Sequence, residues 1–289
     1  MEKNDYIQKP LTFDDQSLKR YSRFLTTHYG KPEQFTFDYI KWQYVENPAG
    51  RAVGFDAFYR EELVAHVATI PLKAVLFGKE EKWLLLVNAM TLPEHRRQGV
   101  SVGLADHIEL MGREEGCTFI IGIANRNSTP AYVKGRQMEL STTLDARLGP
   151  SMPDRENVPE EHCDFKVLWN EESLRWRLKK PGGRYWQRVK NGQSTLFAPS
   201  GKPGIKIVMG NFSDSDVGEA LPHRAYTGMP LNLWIGKDPA IRWGRSPFIP
   251  IPDWLKPSPL NFLFKDLSGQ NRSLLNKRIF FQCIDFDAF

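Results

Sequence analysis

The sequence predicts an α+β fold with a mixed, mostly antiparallel central sheet flanked by helices, followed by a second, related half. Three observations predict it. Hydrophobic spacing changes from a helical period to strict alternation near residue 52, and returns to the helical period near residue 99. The continuous apolar run Cys117–Ala124 has the character of a central strand covered on both faces. Finally, a helix bearing Lys41-Trp42, the Pro48-Ala49-Gly50 turn and two strands are echoed by Arg175-Trp176, Pro181-Gly182-Gly183 and two strands, which suggests duplication of one fold.

Taken in order, Asp14 and Asp15 can cap a helix running to about Tyr29, with Leu18, Tyr21 and Leu25 on one face; Gly30 and Pro32 stop it. A shorter helix over 37–45 ends in Asn47-Pro48-Ala49-Gly50. Strands over 52–60 and 63–70 turn at Glu61-Glu62 and are broken by Pro71, and a second hairpin pairs 73–77 with 82–92. A Gly-bearing turn after Pro93 leads into a helix over 99–115, which Gly116 ends. After Cys117–Ala124, Ser128 can cap a short helix over 129–134, with Pro130 tolerated in its first turn, and a strand near 138–148 completes the unit. The Pro- and Gly-bearing run from Gly149 opens a polar stretch. The expected division is therefore a first domain over 1–150, a linker over 151–162 and a second domain over 163–289. The second half carries a helix over Glu171–Leu178, with Leu174 and Trp176, and strands over 184–190, 194–198 and 205–209. The remainder is Pro-rich and without a clear period until a last strand over 279–284.

The 289 residues are 41% hydrophobic and 25% charged, a globular composition long enough for two cores. The net charge of +5 belongs to the second half, because residues 1–150 carry 19 basic and 19 acidic side chains. Those basic residues are dispersed, so no nucleic-acid partner is expected. Cys117, Cys163 and Cys283 are odd in number, far apart and outside any Cys/His cluster, which argues against disulfides and against a metal. The charged N-terminus and the short apolar runs point to a cytoplasmic protein with no membrane partner.

The chemistry concentrates in 84–140. Arg96-Arg97-Gln98-Gly99-Val100-Ser101 joins a strand to the start of a helix. A helix N-terminus offers unpaired N–H groups and the positive end of its dipole; Gly99 and Ser101 are small enough for close approach, and Arg96 and Arg97 add charge. The turn therefore reads as a pyrophosphate cradle. It resembles the Arg/Gln-x-x-Gly-x-Gly/Ala signature of the GNAT acyltransferase superfamily, with Ser101 in the last place. Asn125 at the end of the next strand, Ser128 three residues on and Tyr132 seven residues on are similar to the same family's pattern. Lys134-Gly135 then leads to the last strand, with Arg136 where an aromatic is usual. Trp42, Asn47-Pro48-Ala49-Gly50, His66 and Ile70-Pro71 resemble a subgroup associated with polysaccharide and amino-sugar pathways.

The resemblance implies direct transfer from acetyl-CoA, or another acyl-CoA, to an amine in a ternary complex, with no metal. Ala89, Met90, Thr91 and Leu92 match the strand along which the pantetheine arm lies. Arg96, Arg97, Gln98, Gly99, Val100 and Ser101 would hold the pyrophosphate, and Asn125 and Ser128 complete the cofactor side. Tyr132 would protonate the departing thiolate, His66 is a candidate base, and Asn88 could orient the substrate or a water. The acceptor implied is a small-molecule amine, an amino sugar or nucleotide sugar being the subgroup's suggestion, bound between the two halves; a homodimer is left open. The second half reads as a degenerate relative, because Asp214 and Asp216 stand where a phosphate turn would be. Two alternatives belong to other classes: a Fem-type aminoacyl transferase, and a non-catalytic protein binding a sugar or partner through Trp234, Trp243 and Trp254.

Overall fold

A computed structural model describes residues 6–31, 33–156, 162–190, 192–213, 229–251 and 259–286. The fold is mixed α/β, with a large and mostly antiparallel sheet and few helices. Among the described residues no helix is long and apolar enough to cross a membrane.

β1 (Tyr6–Pro10) lies antiparallel to β2 (Val53–Tyr59). Between them run α1 (Asp15–Tyr29) and α2 (Phe37–Tyr44). α1 begins where the Asp14 carboxylate accepts the Ser17 N–H, and ends at Gly30, whose φ of 65° provides the left-handed cap. Its Leu18, Tyr21 and Leu25 are buried as the spacing requires.

β3 (Glu62–Leu76) is one continuous strand, where the sequence suggested two separated at Pro71. The proline is harmless there. β2 pairs with β3 only as far as Thr69, and β8 (Phe165–Val167) joins it only from Ala74, so Pro71 falls in a gap where its missing N–H breaks no ladder bond. Asn47 Nδ2 fills the gap by donating to the Pro71 carbonyl at 2.7 Å. β4 (Lys79–Thr91) pairs antiparallel with β3. α3 (Val100–Glu114) then crosses to β5 (Cys117–Ala124), which is parallel to β4. α3 sits close on the sheet at Gly112, where a Cβ would lie 2.7 Å from the Leu84 side chain.

The short helix expected over 129–134 is a single π turn, Ala131–Gly135, and the strand expected near 138–148 is two, β6 (Glu139–Thr143) and β7 (Asp145–Gly149). They part at Leu144, whose N–H turns to the Leu260 carbonyl. α4 (Glu171–Leu178) is capped by Asn170 and Ser173 in a reciprocal box. After it come β9 (Trp186–Lys190), β10 (Gln193–Pro199), β11 (Ile205–Ser213), β12 (Leu231–Lys237), β13 (Ile249–Pro250), β14 (Asn261–Asp266) and β15 (Ile279–Gln282).

The two halves exchange strands. β14, from late in the chain, lies between β5 and β6 and pairs antiparallel with both. Reciprocally, β7 lies antiparallel to β12. In each half a parallel pair, β4 with β5 and β11 with β12, is thus bordered by a strand from the other. The two Trp-bearing helices also meet. Trp42 and Trp176 stack at 5.0 Å, and each indole N–H donates to the other's carbonyl, at 2.8 and 2.9 Å. Of the expected linker, 157–161 lie outside the described residues, while 151–156 are tied to the later strands: Arg155 bridges Ile241 and pairs with Asp238 at 2.8 Å. Asp214, Asp216 and Trp254 also lie outside the described residues.

Candidate active site

β4 and β5 hold together only as far as Leu86 opposite Gly122. Beyond that pair the strands part. The cause lies on the β3 side of β4: His66 faces Met90 and Ala68 faces Val87, so Val67 alone opposes both Asn88 and Ala89. This β-bulge puts Asn88 at φ 46°, a left-handed conformation that Asn tolerates better than most residues. The bulge turns the strand away from β5 and opens a cleft of about 220 Å³, lined by Gln43, Val87, Asn88, Ile123, Leu260 and Phe286 among others.

On the far side of the bulge, Leu92 donates to the Val64 carbonyl, so by ladder alternation Ala89 and Thr91 turn their backbone groups to the open edge. Their carbonyls meet side chains there. Tyr29 donates to Ala89 O at 2.8 Å, and Arg96 Nε donates to Thr91 O at 3.0 Å. The edge N–H groups of Ala89 and Thr91 point the same way, as a peptide-like arm lying along the strand requires.

The same strand leads to the start of α3. Arg97 at φ 62° and Gly99 at φ 76° are both left-handed, and no side chain caps the helix. Successive backbone N–H groups in such a turn form an anion-binding concavity, reinforced by the helix dipole. Arg96 and Arg97 flank it, and Val100 is buried beneath. Gln98 faces elsewhere: it accepts a hydrogen bond from Tyr6 at 2.7 Å and donates to the Glu94 carbonyl. Ser101 Oγ accepts from Arg136 Nη2 at 2.8 Å. Arg136, which departs from the expected aromatic, is buried, with its guanidinium 4.8 Å over the Tyr132 ring. It joins the α3 terminus to the turn carrying Tyr132. Burial pushes the Tyr132 phenol up, and Arg136 only partly opposes this, so Tyr132 holds its proton at neutral pH.

Asn125 and Ser128 act on the same turn. The Asn125 side chain accepts the N–H groups of Asn127 and Ser128 at 2.9 Å each, and Thr129 and Tyr132 continue the turn by donating to the carbonyls of Asn125 and Ser128. Both polar side chains are engaged in setting the turn, and so they orient Tyr132.

His66 is fully buried and does not line the cleft. Its Nδ1 is 2.7 Å from Asp56 Oδ1 and its Nε2 is 2.8 Å from Tyr44 Oη. With Asp56 accepting from Nδ1–H, Nε2 accepts the Tyr44 hydroxyl. Tyr44 in turn accepts from Asn88 Nδ2 at 3.0 Å, and Asn88 Nδ2 also donates to Gln43 Oε1 at 2.6 Å. Both amide hydrogens of Asn88 are thus committed, which leaves Oδ1 as the atom of its side chain that can accept from a ligand. Burial holds the Tyr44 phenol well above its ordinary range.

Asn88, Ala89, Thr91, Arg96, Arg97, Gly99, Ser101 and Tyr132 therefore lie along one continuous path from the cleft to the α3 terminus. His66 reaches that path through Tyr44. Gln43, Tyr44, Asp56 and Tyr29 were not singled out as site residues in the sequence, and Arg136 was noted there only as a departure from the expected aromatic. Asp56 was within reach, because the hairpin register sets it opposite His66. Trp234 and Trp243 pack edge to face at 5.1 Å, Trp234 is buried beside Phe197, Val208 and Phe248, and Arg147 covers Trp243.

Residues 12–134 match the family model of the acetyltransferase (GNAT) domain. No curated protein matches the sequence. Among solved structures, the chain is similar to a GCN5-related N-acetyltransferase from Kribbella flavida, with a TM-score of 0.61 over 91% of this chain and 72% of the other at 10% identity. It is similar to a conserved protein of unknown function from Enterococcus faecalis V583, described as a probable N-acyltransferase, with a TM-score of 0.60 over 91% and 74% at 11% identity. It is also similar to Eis1 from Mycobacterium abscessus, with a TM-score of 0.55 over 90% and 74% at 13% identity. At these identities the likeness is one of fold.

Proposed function

Because residues 12–134 match the acetyltransferase (GNAT) domain model, we propose that the chain moves an acyl group from acyl-CoA, acetyl-CoA in the first instance, to the amine of a small molecule by direct attack in a ternary complex. The observation that carries this reading is the parting of β4 from β5 at the Asn88 bulge, continuous with the uncapped start of α3. Nothing in the donor set disagrees with acyl-CoA: N–H groups and two arginines suit a pyrophosphate, and the N–H groups of the β4 edge suit an amide-bearing arm.

Bound acyl-CoA supplies the activated thioester. The chain's residues do the rest. The turn from Arg96 to Ser101 takes the pyrophosphate, and the edge of Ala89–Leu92 takes the arm. An N–H on that edge holds the thioester carbonyl oxygen, where negative charge develops. Asn88 Oδ1 accepts an N–H of the amine and aims its lone pair at the carbonyl carbon. As the new C–N bond forms and the C–S bond breaks, Tyr132 gives its proton to the sulfur, and the surplus amine proton passes through water to restore the Tyr132 phenol. In this reading His66 is a positioning residue: with Asp56 it fixes Tyr44, and Tyr44 with Gln43 fixes the Asn88 amide.

Calorimetric titration of acetyl-CoA tests the assignment. The wild type is expected to bind. An Arg97→Glu, Gly99→Glu double variant, which puts two carboxylates on the cradle and a side chain on a left-handed residue, is expected to lose at least tenfold in affinity. Failure of the wild type to bind acetyl-CoA or longer acyl-CoAs sinks the reading.

A further inference from the structure

Resting on that reading, we propose that the acceptor is an apolar amine, an aliphatic or aryl-alkyl chain ending in a primary amine. The cleft at the bulge is built by both halves of the chain: Gln43, Val87, Asn88 and Ile123 come from the first, Leu260 and Phe286 from the second. Its two polar side chains stand together, beside the backbone edge of β4 that β5 leaves unpaired. Asn88 and Gln43 are hydrogen-bonded to each other, so they mark a single polar end. Leu85, Leu86, Val87, Ile123, Leu260 and Phe286 make the remaining wall, and no charged side chain is among the described lining residues.

That segregation selects a ligand. Its amine belongs at the polar end, against Asn88 Oδ1 and next to the open edge of β4. Its carbon skeleton belongs against the apolar wall. The cleft of about 220 Å³ has room for roughly seven groups of water or methylene size. Each methylene moved from water to such a wall tightens binding about fourfold. A polyhydroxylated amine fares worse in the same space, because each hydroxyl left without a partner weakens binding on the order of tenfold. The wall also disfavours a positive charge. An ammonium entering it gives its proton to water, so the nucleophile is made neutral by desolvation; among the described residues no carboxylate lines the cleft.

Calorimetry on the CoA complex, which cannot turn over, separates the possibilities. 2-Phenylethylamine, octylamine and glucosamine are titrated in turn into protein saturated with CoA. The first two are expected to bind at least tenfold more tightly than glucosamine. Leu260→Lys, which sets a like charge in the wall, is expected to weaken octylamine at least tenfold, while Leu260→Met keeps it within about threefold; CoA binding by each variant reports that it is folded. Equal or tighter binding of glucosamine overturns the proposal, as does failure of both apolar amines while CoA binds. Failure of CoA itself to bind overturns instead the acyl-CoA reading on which the proposal rests.

Discussion

Asp285 shows how far burial alone can move a residue's chemistry. Its carboxyl is buried beside Phe286 and accepts the Trp169 indole N–H at 2.7 Å and the Gln282 N–H at 2.6 Å. Desolvation outweighs those bonds and the nearby Arg177 charge, and pushes its pKa up to about 7. Because the folded value is raised above the unfolded one, the stability contributed by the protonated form is complete below about pH 4 and is lost as the pH climbs to about 7. Urea midpoints at pH 5 and pH 8 should therefore record a loss of about 3 kcal/mol for the wild type, a slope that Asp285→Asn lacks. Equal slopes for the two would contradict the shift. At this scale the sequence disclosed residue types but not contacts. Asn88, His66 and Tyr132 stood out by position and chemistry. That His66 faces Tyr44 and Asp56 instead of the cleft depends on the pairing of β2 with β3 and on the packing of α2 against them.

Among elements, α2 and α4 meet through their tryptophans. Trp42 and Trp176 exchange hydrogen bonds as well as stacking, so either indole leaves both a cavity and an unpaired carbonyl when removed. Trp176→Ala is expected to cost about 3–5 kcal/mol and Trp176→Phe about 1 kcal/mol, read from denaturant unfolding. A cost for the alanine variant below that of the phenylalanine variant would remove the stack from the account. The helices were legible because their caps and stops are local: Asp14 and Gly30 bound α1, Thr36 opens α2 and Asn170 opens α4, each acting within a few residues of itself. Pro71 was misread as a strand end for the opposite reason. Whether a proline breaks a strand depends on what lies beside it, and β8 arrives from some ninety residues later.

The molecule as a whole is held by its exchanged strands. β14 covers the edge of β5 along six residue pairs, Phe119 to Ala124, and contributes Phe262, Leu263 and Phe264 to the core. A fragment of residues 1–150 lacks this strand and presents a long apolar edge instead, so it is expected to associate in solution. Size-exclusion chromatography should find it aggregated while the full chain elutes as a defined species, and a monodisperse, cooperatively unfolding fragment would refute this. Neither β12 nor β14 was visible in the sequence, because both sit in the Pro-rich stretch whose local signals say loop. Asn-Phe-Leu-Phe-Lys-Asp becomes a strand because β5 and β6 offer it two partners.

The placement of β14 also sets a timetable for synthesis. Ala124 pairs with Asn261, so β5 leaves the ribosome well before its neighbour exists. At ordinary translation speeds the wait is on the order of ten seconds, long beside the microseconds to milliseconds in which local structure forms. Throughout that interval the nascent chain carries a nearly finished sheet with one hydrophobic seam uncovered. Its yield in the cell should depend on holding chaperones that occupy the seam, and on codon usage across the residues still to be made.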